Sequence, residues 1–205
     1  MDADTSAGLV VAGGYSTRFG EREKAVIDLC GTPLIRRVVD RLSLVVDEIV
    51  VNCRSDQREQ IAEALSGVDV RFAIDDVPDR GPLGGIATGL SVVDAEYTAV
   101  VSCDLPFLEP AIVELLFEEA AGHDAAVPRP GEWFEPLHAV YRSVPMRVAC
   151  ESTLESDDGR VIAPLEDLDY VVVDREPLLA RGSLDSFESV DDPDALAWAE
   201  QQIGG

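Results

Sequence analysis

Lysine is almost absent from this sequence of 205 residues, in which Lys24 is the single example. Basic residues of all kinds number 16 against 40 acidic residues, so the formal net charge is -24. Such a surface would repel a phosphate backbone, and we expect no nucleic acid partner. The chain also lacks a stretch of about 18 apolar residues, the length that a membrane-spanning helix needs, and we expect no membrane partner.

Cysteine and histidine are too scattered to indicate a metal centre or a disulfide framework. No cysteine pair has C-x-x-C spacing, and the two histidines do not complete a zinc site. We interpret the cysteines as reduced and mostly as small residues of the core; they are Cys30, Cys53, Cys103 and Cys150. The acidic N-terminus lacks the basic region of a signal peptide, which predicts a cytoplasmic location.

The acidic composition does not predict disorder, because 46% of the residues are apolar. We interpret the chain as a folded core under an acidic surface. Carboxylates keep a protein soluble where concentrated salt screens their repulsion. Loss of lysine together with a gain of Asp and Glu therefore indicates a protein from a halophile, adapted to a salt-filled cytoplasm.

Apolar runs of strand length alternate with helical patterns along the chain. The predicted strands are 8–12, 48–52, 70–74, 97–102, 133–141 and 170–173. The predicted helices are 33–46, 55–65, 82–93, 110–121, 143–154, 160–168 and 193–203, with Thr32-Pro33, Ser55 and Asp192 as expected starts. This alternation predicts an α/β fold of Rossmann-like type, a mostly parallel sheet with helices on both faces.

The whole chain, 1–205, is expected to form one domain, because no linker or repeat interrupts it. Residues 1–108 carry the glycine-rich segments and are interpreted as a nucleotide-binding half. Residues 109–205 are interpreted as an acceptor-side half.

Polar residues follow the predicted strands at their carboxyl ends, where parallel α/β sheets bind ligands. The first strand is followed by Gly13-Gly14, Arg18 and Lys24, and the later ones by Asn52, by Asp75 with the Gly81-Pro82-Leu83-Gly84-Gly85 segment, and by Asp104. Glycines bring backbone N–H groups close to a ligand, and a flexible ammonium suits a phosphate oxygen. The pattern predicts a site for a nucleotide phosphate and a metal ion.

Each of these features also has a purely structural interpretation. Gly13-Gly14 could form an ordinary turn, Asp75 could be a turn residue, and the Gly81 segment could be a closely packed helix start. The spacing from Gly20 to Lys24 does not fit G-x-x-x-x-G-K-[ST], and G-x-G-x-x-G is missing. A P-loop and a dinucleotide fingerprint are therefore disfavoured. His138 could contact an acceptor or be structural, and both readings stay open.

Taken together, the motifs resemble one family. Val11-Ala12-Gly13-Gly14-x-Ser16-x-Arg18-x-Gly20-x-x-x-Lys24 is similar to the signature loop of sugar-nucleotide-type nucleotidyltransferases. Gly81-Pro82-Leu83-x-Gly85-Ile86, Cys103-Asp104-x-Pro106-Phe107 and Glu135–Tyr141 are similar to the MobA-like branch, the molybdenum cofactor guanylyltransferases. The resemblance covers nearly the whole chain.

The resemblance implies a role for each matching residue. Val11, Ala12, Gly13 and Gly14 would hold the guanine and ribose, and Asn52 and Asp75 would contact the nucleoside. Arg18 and Lys24 would grip the triphosphate, Asp104 would bind Mg²⁺, and Gly81, Pro82 and Leu83 would lie under the nucleotide or acceptor. The family's Asn-x-Asn run is replaced here by Ser189-Val190-Asp191, in which Asp191 could also ligate Mg²⁺.

The implied reaction is transfer of GMP from GTP to a molybdopterin-type cofactor, with release of pyrophosphate. The recipient molybdoenzymes are further candidate partners. Gly13 favours GTP, since the cytidylyltransferase branch tends to have alanine there. Three alternatives stay open: a molybdopterin cytidylyltransferase, an adenosylcobinamide-phosphate guanylyltransferase, and a non-catalytic protein that binds and delivers the nucleotide or cofactor.

The charge balance predicts that the protein becomes more stable as salt is added. The screening length falls from about 30 Å at 0.01 M to about 3 Å at 1 M, so repulsion between surface carboxylates should be relieved. We expect the denaturation midpoint to rise between dilute buffer and molar KCl. A midpoint that stays flat or falls over this range would rule out the halophilic interpretation.

Overall fold

The computed structural model describes residues 5–14, 19–20, 23–75, 77, 80–156 and 159–204. Within these ranges the strands are β1 (Ser6–Val11), β2 (Asp28–Leu29), β3 (Thr32–Pro33), β4 (Glu48–Cys53), β5 (Arg71–Ile74), β6 (Tyr97–Ser102), β7 (Ala125–Arg129), β8 (His138–Arg142) and β9 (Tyr170–Asp174). Strands β2 and β3 form a small hairpin. The other strands form a seven-stranded sheet in the order β5-β4-β1-β6-β8-β7-β9.

Helices connect most of these strands. They are α1 (Leu34–Leu42), α2 (Arg58–Ala64), α3 (Gly81–Leu90), α4 (Pro110–Ala120), α5 (Ser143–Glu155), α6 (Arg175–Arg181) and α7 (Pro193–Gly204). Short 3₁₀ turns lie at Lys24–Val26, Ala163–Asp167 and Leu184–Phe187. No helix in the described part of the chain combines the length and apolarity needed to cross a membrane.

Alternate side chains of the central strands enter two different cores, as the period of a strand requires. Val10 of β1 lies in the core covered by α1, α2, α4 and α6. Leu9, its neighbour, lies in the core covered by α3 and α5. Burying each such Leu or Val contributes roughly 1.5–3 kcal/mol. The prediction of a sheet with helices on both faces is confirmed.

The pairing of the strands creates one polar edge. β1 pairs in parallel with β4 and β6, and β4 pairs in parallel with β5, so the carboxyl ends of all four strands meet. β8 runs antiparallel to β6, and its first residue, His138, lies opposite Val101 near the end of β6. The loop that precedes β8 therefore reaches the same edge.

Helix α7 packs against the β2–β3 hairpin and the start of α1. Ala199 is buried with Ile27, Leu29 and Leu34, and Val190 completes this cluster. The Val190 N–H donates to the carbonyl of Asp104 at 2.9 Å. The segment just before α7 is thereby fixed beside the end of β6, far from it in sequence.

Several predicted boundaries are wrong. Thr32-Pro33 does not start a helix but forms β3, and α1 begins at Leu34. Ser55 is not a cap, because α2 begins at Arg58 with Gln57 in the preceding position. The Asp192 cap is confirmed, since its Oδ1 accepts from the N–H of Ala195 at 2.9 Å.

The second half of the chain shows the larger differences. The predicted strand 133–141 begins only at His138, because residues 135–138 make a turn in which the His138 N–H donates to the carbonyl of Glu135. The predicted helix 160–168 is only a 3₁₀ turn at Ala163–Asp167. Strand β7 and helix α6 escaped prediction: β7 is short and contains Pro128, a residue depleted in strands, and α6 has seven residues.

The cysteines are free thiols, as expected, and three of them are buried. Cys30 departs from the prediction, because it is exposed in the turn between β2 and β3 with a φ of 52°. Burial raises the pKa of Cys53 to about 12, so this thiol stays protonated and behaves as a small core residue.

Candidate active site

A cavity of about 350 Å³ lies at the polar edge of the sheet. Both halves of the chain contribute to its wall. It is lined by Val11, Ala12, Gly13, Gly14, Glu23, Lys24, Asn52, Gly81, Pro82, Ser102, Cys103, Asp104, Leu105, Glu135, Leu137, Phe187, Ser189 and Asp191.

Lys24 occupies the centre of an ion cluster in this cavity. Its ammonium forms an ion pair with the buried Asp104 carboxylate and another with Asp191 Oδ1 at 2.7 Å. The Ser189 hydroxyl donates a hydrogen bond to Asp191 Oδ2. One cation therefore connects the end of β6 to the segment before α7, although Lys24 and Asp191 are 167 residues apart in the sequence.

The charges in the cluster determine the protonation of Lys24. Burial lowers its pKa, but the charge of Asp104 and the hydrogen bonds to Asp104 and Asp191 outweigh burial, and the net pKa is raised. Lys24 is therefore fully charged at neutral pH. Burial and the Asp104 carboxylate raise the pKa of the neighbouring Cys103 thiol, so this cysteine is neutral and unsuited to act as a nucleophile.

The glycine loop after β1 is held by side chains from the β4–α2 connection. Arg54 Nη1 donates to the carbonyls of Gly13 and Gly14, at 2.9 Å in each case. Gln57 is buried, and its Nε2 donates to the carbonyl of Ala12 at 3.0 Å. These contacts fix the loop before any ligand arrives. Sequence reasoning missed both residues, since neither lies in a glycine motif.

Asn52 and Asp75 form a pair beside this loop. Asn52 Nδ2 donates to Asp75 Oδ1 at 2.8 Å and to the carbonyl of Ala73 at 3.2 Å. Asn52 Oδ1 is buried and finds no hydrogen-bond partner among the described residues. A Cβ on Gly85 would lie only 2.3 Å from that oxygen, and a Cβ on Gly13 only 2.8 Å from Asp75 Oδ2. Glycine is therefore required at both positions, because a Cβ there would collide with the side chains of Asn52 and Asp75.

A second cavity, of about 290 Å³, adjoins the first. The two share Gly13, Gly14, Gly81 and Pro82 as lining residues. The second cavity adds Asp75 together with Arg54 and Arg80. An extended ligand could therefore occupy both cavities, with the glycine loop between them.

Oxygen ligands for a cation are available beside Lys24. Asp104 is 4% exposed, and its Oδ1 is buried without a hydrogen-bond partner in the described part of the chain. Asp191 supplies a second carboxylate on the other side of Lys24. No cluster of three or more His, Cys, Asp or Glu suited to a metal ion occurs among the described residues. A metal held here would take its remaining ligands from water or from a substrate.

His138 supports the part of the cavity wall that contains Phe187. Its Nδ1 is 3.1 Å from the carbonyl of Ser186, and its ring centroid is 4.5 Å from that of Phe187, which lines the cavity. Burial lowers the pKa of His138 to about 4, although the hydrogen bond to Ser186 raises it somewhat. A neutral ring that donates through Nδ1 fits this position. His138 is not itself among the lining residues.

The structure brings together most of the residues selected from the sequence. The main cavity contains Val11, Ala12, Gly13, Gly14, Lys24, Asn52, Gly81, Pro82, Asp104 and Asp191. Asp75 lines the adjoining cavity. Leu83 departs from the expected position, because it is 2% exposed and packs in the core beneath α3, lining neither cavity. Arg18 lies outside the described residues.

Sequence reasoning missed the part of the wall formed by Glu23, Leu105, Glu135, Leu137 and Phe187. Glu135 and Leu137 lay within a motif whose resemblance was noted, but nothing in their spacing indicated that the loop reaches the cavity. Phe187 has no local signal at all. The antiparallel placement of β8 and the return of α7 decide these positions.

A mostly parallel sheet with a fixed glycine loop, a partly buried lysine and a buried carboxylate at its carboxyl edge defines the class of nucleotidyltransferases. A model described as the MobA-like NTP transferase domain matches residues 8–168 of the chain. The chain therefore belongs to the MobA-like NTP transferase family.

The chain is similar to curated and solved proteins over nearly its full length. A probable molybdenum cofactor guanylyltransferase of Natronomonas pharaonis is 56% identical, covering 96% of this chain and 97% of that protein. A probable molybdenum cofactor guanylyltransferase of Haloferax mediterranei is 38% identical, covering 93% of this chain and 90% of that protein. The crystal structure of molybdopterin-guanine dinucleotide biosynthesis protein A from Archaeoglobus fulgidus has a TM-score of 0.82 at 29% identity, covering 97% and 98%.

We predict that His138 makes folding depend on pH. The ordinary pKa of histidine is 6.5, so His138 takes up a proton below this pH in the unfolded chain. In the folded protein the pKa of His138 is about 4, so the buried ring stays neutral until the pH falls that far. His138 therefore makes its full contribution to the free energy of unfolding above pH 6.5. This contribution, about 2–4 kcal/mol, is lost as the pH falls from 6.5 towards 4.

The measurement is the free energy of unfolding of the parent and of His138→Asn, between pH 7 and pH 4 in concentrated KCl. Asn can still donate to Ser186 but does not titrate. We expect the difference in stability between the two proteins to shrink as the pH falls. A constant difference would show that His138 titrates alike in the folded and unfolded states.

Proposed function

We propose that this protein transfers GMP from GTP to a molybdopterin-type cofactor, forming the guanine dinucleotide cofactor and pyrophosphate. The observation that carries the proposal is the Lys24 ammonium between Asp104 and Asp191, in a cavity that continues past the glycine loop to Asp75. Family membership and the names of the close relatives support the same reaction.

Base selection follows from the Asn52–Asp75 pair beside the glycine loop. Guanine presents two donors side by side, its N1–H and its 2-amino group, whereas cytosine presents one donor beside acceptors. Two neighbouring acceptor oxygens can therefore bind both guanine donors at once. Asp75 Oδ2 and Asn52 Oδ1 are the acceptors next to Gly13. We infer that this site favours guanine.

The phosphates would lie between the glycine loop and Lys24. In the reaction, a phosphate oxygen of the acceptor attacks the α-phosphorus of GTP and forms a new phosphorus–oxygen bond. The bond from the α-phosphorus to its bridging oxygen breaks, and pyrophosphate leaves with the electron pair. The attacking oxygen is already ionised near neutral pH, so no general base is needed, and positioning and charge stabilisation supply the catalysis.

Lys24 contributes charge stabilisation in this scheme. A desolvated ammonium fixed beside the reacting phosphates stabilises negative charge without reorganisation of water. Arg18, which lies outside the described residues, is proposed to assist it. When the nucleotide enters, its phosphates would compete with the two carboxylates for the ammonium.

The carboxylates fit Mg²⁺, the metal that we propose. Mg²⁺ is usually bound through one or two carboxylates together with substrate phosphates, and the unpartnered Oδ1 of Asp104 is an oxygen ligand of this kind. Asp104 and Asp191 would hold the ion, which would neutralise phosphate charge.

We also propose that residues 1–108 bind the nucleotide and that residues 109–205 bind the acceptor. The molybdoenzymes that receive the finished cofactor are proposed as partners.

The reaction is tested by pyrophosphate release from the purified protein with molybdopterin and each of GTP, CTP and ATP, with Mg²⁺ in molar KCl. We expect release with GTP, and a thermal shift by GTP larger than that by CTP, since a ligand at 100 times its dissociation constant adds about 2.7 kcal/mol. Release with CTP instead would indicate a cytidylyltransferase. Nucleotide binding without release would indicate a delivery protein.

Asp104→Asn should raise the Mg²⁺ requirement and reduce turnover by roughly 10²–10³-fold, because a neutral amide is a poorer ligand for a hard cation. Asp191→Asn is the matched comparison, and its effect should be milder, since Asp191 is more exposed. The measurement is turnover as a function of Mg²⁺ concentration. A parent-like Mg²⁺ titration of Asp104→Asn would place the metal elsewhere.

A further inference from the structure

The wall contributed by the second half of the chain is not used by the proposed nucleotide contacts. Those contacts come from residues up to Asp104, apart from Asp191. Glu135, Leu137 and Phe187 line the same cavity and have no part in the GTP contacts proposed above. They are therefore available to the second substrate.

Glu135 is an unpaired carboxylate in this wall. It is partly buried, and its carboxylate has no hydrogen bond or ion pair with any described residue. Burial raises its pKa, and the neighbouring Glu188 raises it further. A desolvated negative charge beside a like charge is unfavourable unless a ligand supplies donors. This carboxylate is better suited to a ligand than to the fold.

The backbone around Glu135 is fixed although its side chain is unpaired. Its N–H donates to the carbonyl of Pro128 at 3.0 Å, and its own carbonyl accepts from the N–H of His138 at 3.1 Å. The carboxylate is thus presented from a rigid turn. Pre-positioned groups lose little entropy when they bind a ligand.

The neighbouring side chains suit a flat ring. Phe187 presents an aromatic ring that is steadied by its contact with His138, at 4.5 Å between centroids. Leu137 supplies an aliphatic surface next to Glu135. A carboxylate beside an aromatic and an aliphatic wall is a suitable environment for a planar heterocycle that carries hydrogen-bond donors at one edge.

The acceptor of the proposed reaction carries such a heterocycle. A pterin ring is planar and bears a 2-amino group next to a ring N–H, two donors that one carboxylate can accept together. We propose that Glu135 recognises this donor edge of the pterin, with Phe187 and Leu137 against its faces. This inference rests on the proposed function, which supplies the identity of the acceptor.

Guanine has the same donor edge as a pterin, so the chain must keep the two substrates apart. Two carboxylates serve this purpose: Asp75 in the second cavity, beside the glycine loop, and Glu135 in the main cavity. The alternative is that Glu135 binds the guanine of GTP. That alternative predicts a loss of GTP affinity when Glu135 is changed, and the experiment separates the two.

The experiment compares the parent with Glu135→Gln and with Glu132→Gln, an exposed glutamate of the same loop that does not line the main cavity. Molybdopterin and GTP affinities are measured separately by titration of the full chain in molar KCl. We expect Glu135→Gln to weaken molybdopterin binding by roughly 10–100-fold, the loss typical of a charge-assisted hydrogen bond, with GTP affinity unchanged. Glu132→Gln should alter neither.

Thermal denaturation of the same variants provides a second readout. A carboxylate that is influenced by the charge of Glu188 and has no hydrogen bond or ion pair among the described residues should not stabilise the fold. Glu135→Gln should therefore melt at the parent's temperature or above it, whereas a structural role predicts a lower melting temperature. Glu135→Asp, which keeps the charge but shortens the side chain, should lose less molybdopterin affinity than Glu135→Gln.

Parent-like molybdopterin affinity in Glu135→Gln would overturn the inference, as would equal losses of GTP and molybdopterin affinity. These results would leave the proposed function intact if the parent still transfers GMP. A parent protein that binds GTP but neither binds nor modifies molybdopterin would overturn both the proposed function and the role of Glu135.

Discussion

The ion cluster of Lys24 with Asp104 and Asp191 is the interaction on which the rest of the site depends. Two carboxylates brought together in a partly buried cavity would repel each other, and burying either one unpaired would cost several kcal/mol. The ammonium offsets this cost and holds the end of β6 to the segment before α7. The Val190–Asp104 backbone hydrogen bond adds a second link at the same place.

The opposite side of the site depends on close packing rather than on charge. Gly85 in α3 and Gly13 after β1 let the backbone approach Asn52 and Asp75 to distances at which any Cβ would collide. Arg54 and Gln57 then hold the loop carbonyls. Asn52 is the single asparagine of the chain, as Lys24 is its single lysine. Both lie in the cavity, in a composition otherwise dominated by carboxylates.

The acidic surface and the site require charges of opposite sign. Like charges over the surface favour solubility in salt, but a substrate with a triphosphate needs cations. The chain meets both demands by concentrating a few cations at the carboxyl edge of the sheet: Lys24, Arg54 and Arg80 line the two cavities. Because Lys24 and Arg54 are partly desolvated, concentrated salt screens them less than it screens exposed charges.

The sequence by itself determined the α/β class and the order of the central strands and helices along the chain. It also identified the site residues that follow β1, β4 and β6. These features are local: apolar runs set the strands, and parallel strands end at a common edge. Tertiary structure decided the remainder. Glu135 reaches the cavity because β8 runs antiparallel, and Phe187 does so because the segment before α7 returns to this edge. Leu83 turns into the core. Such placements depend on contacts between segments distant in sequence, which local patterns do not encode.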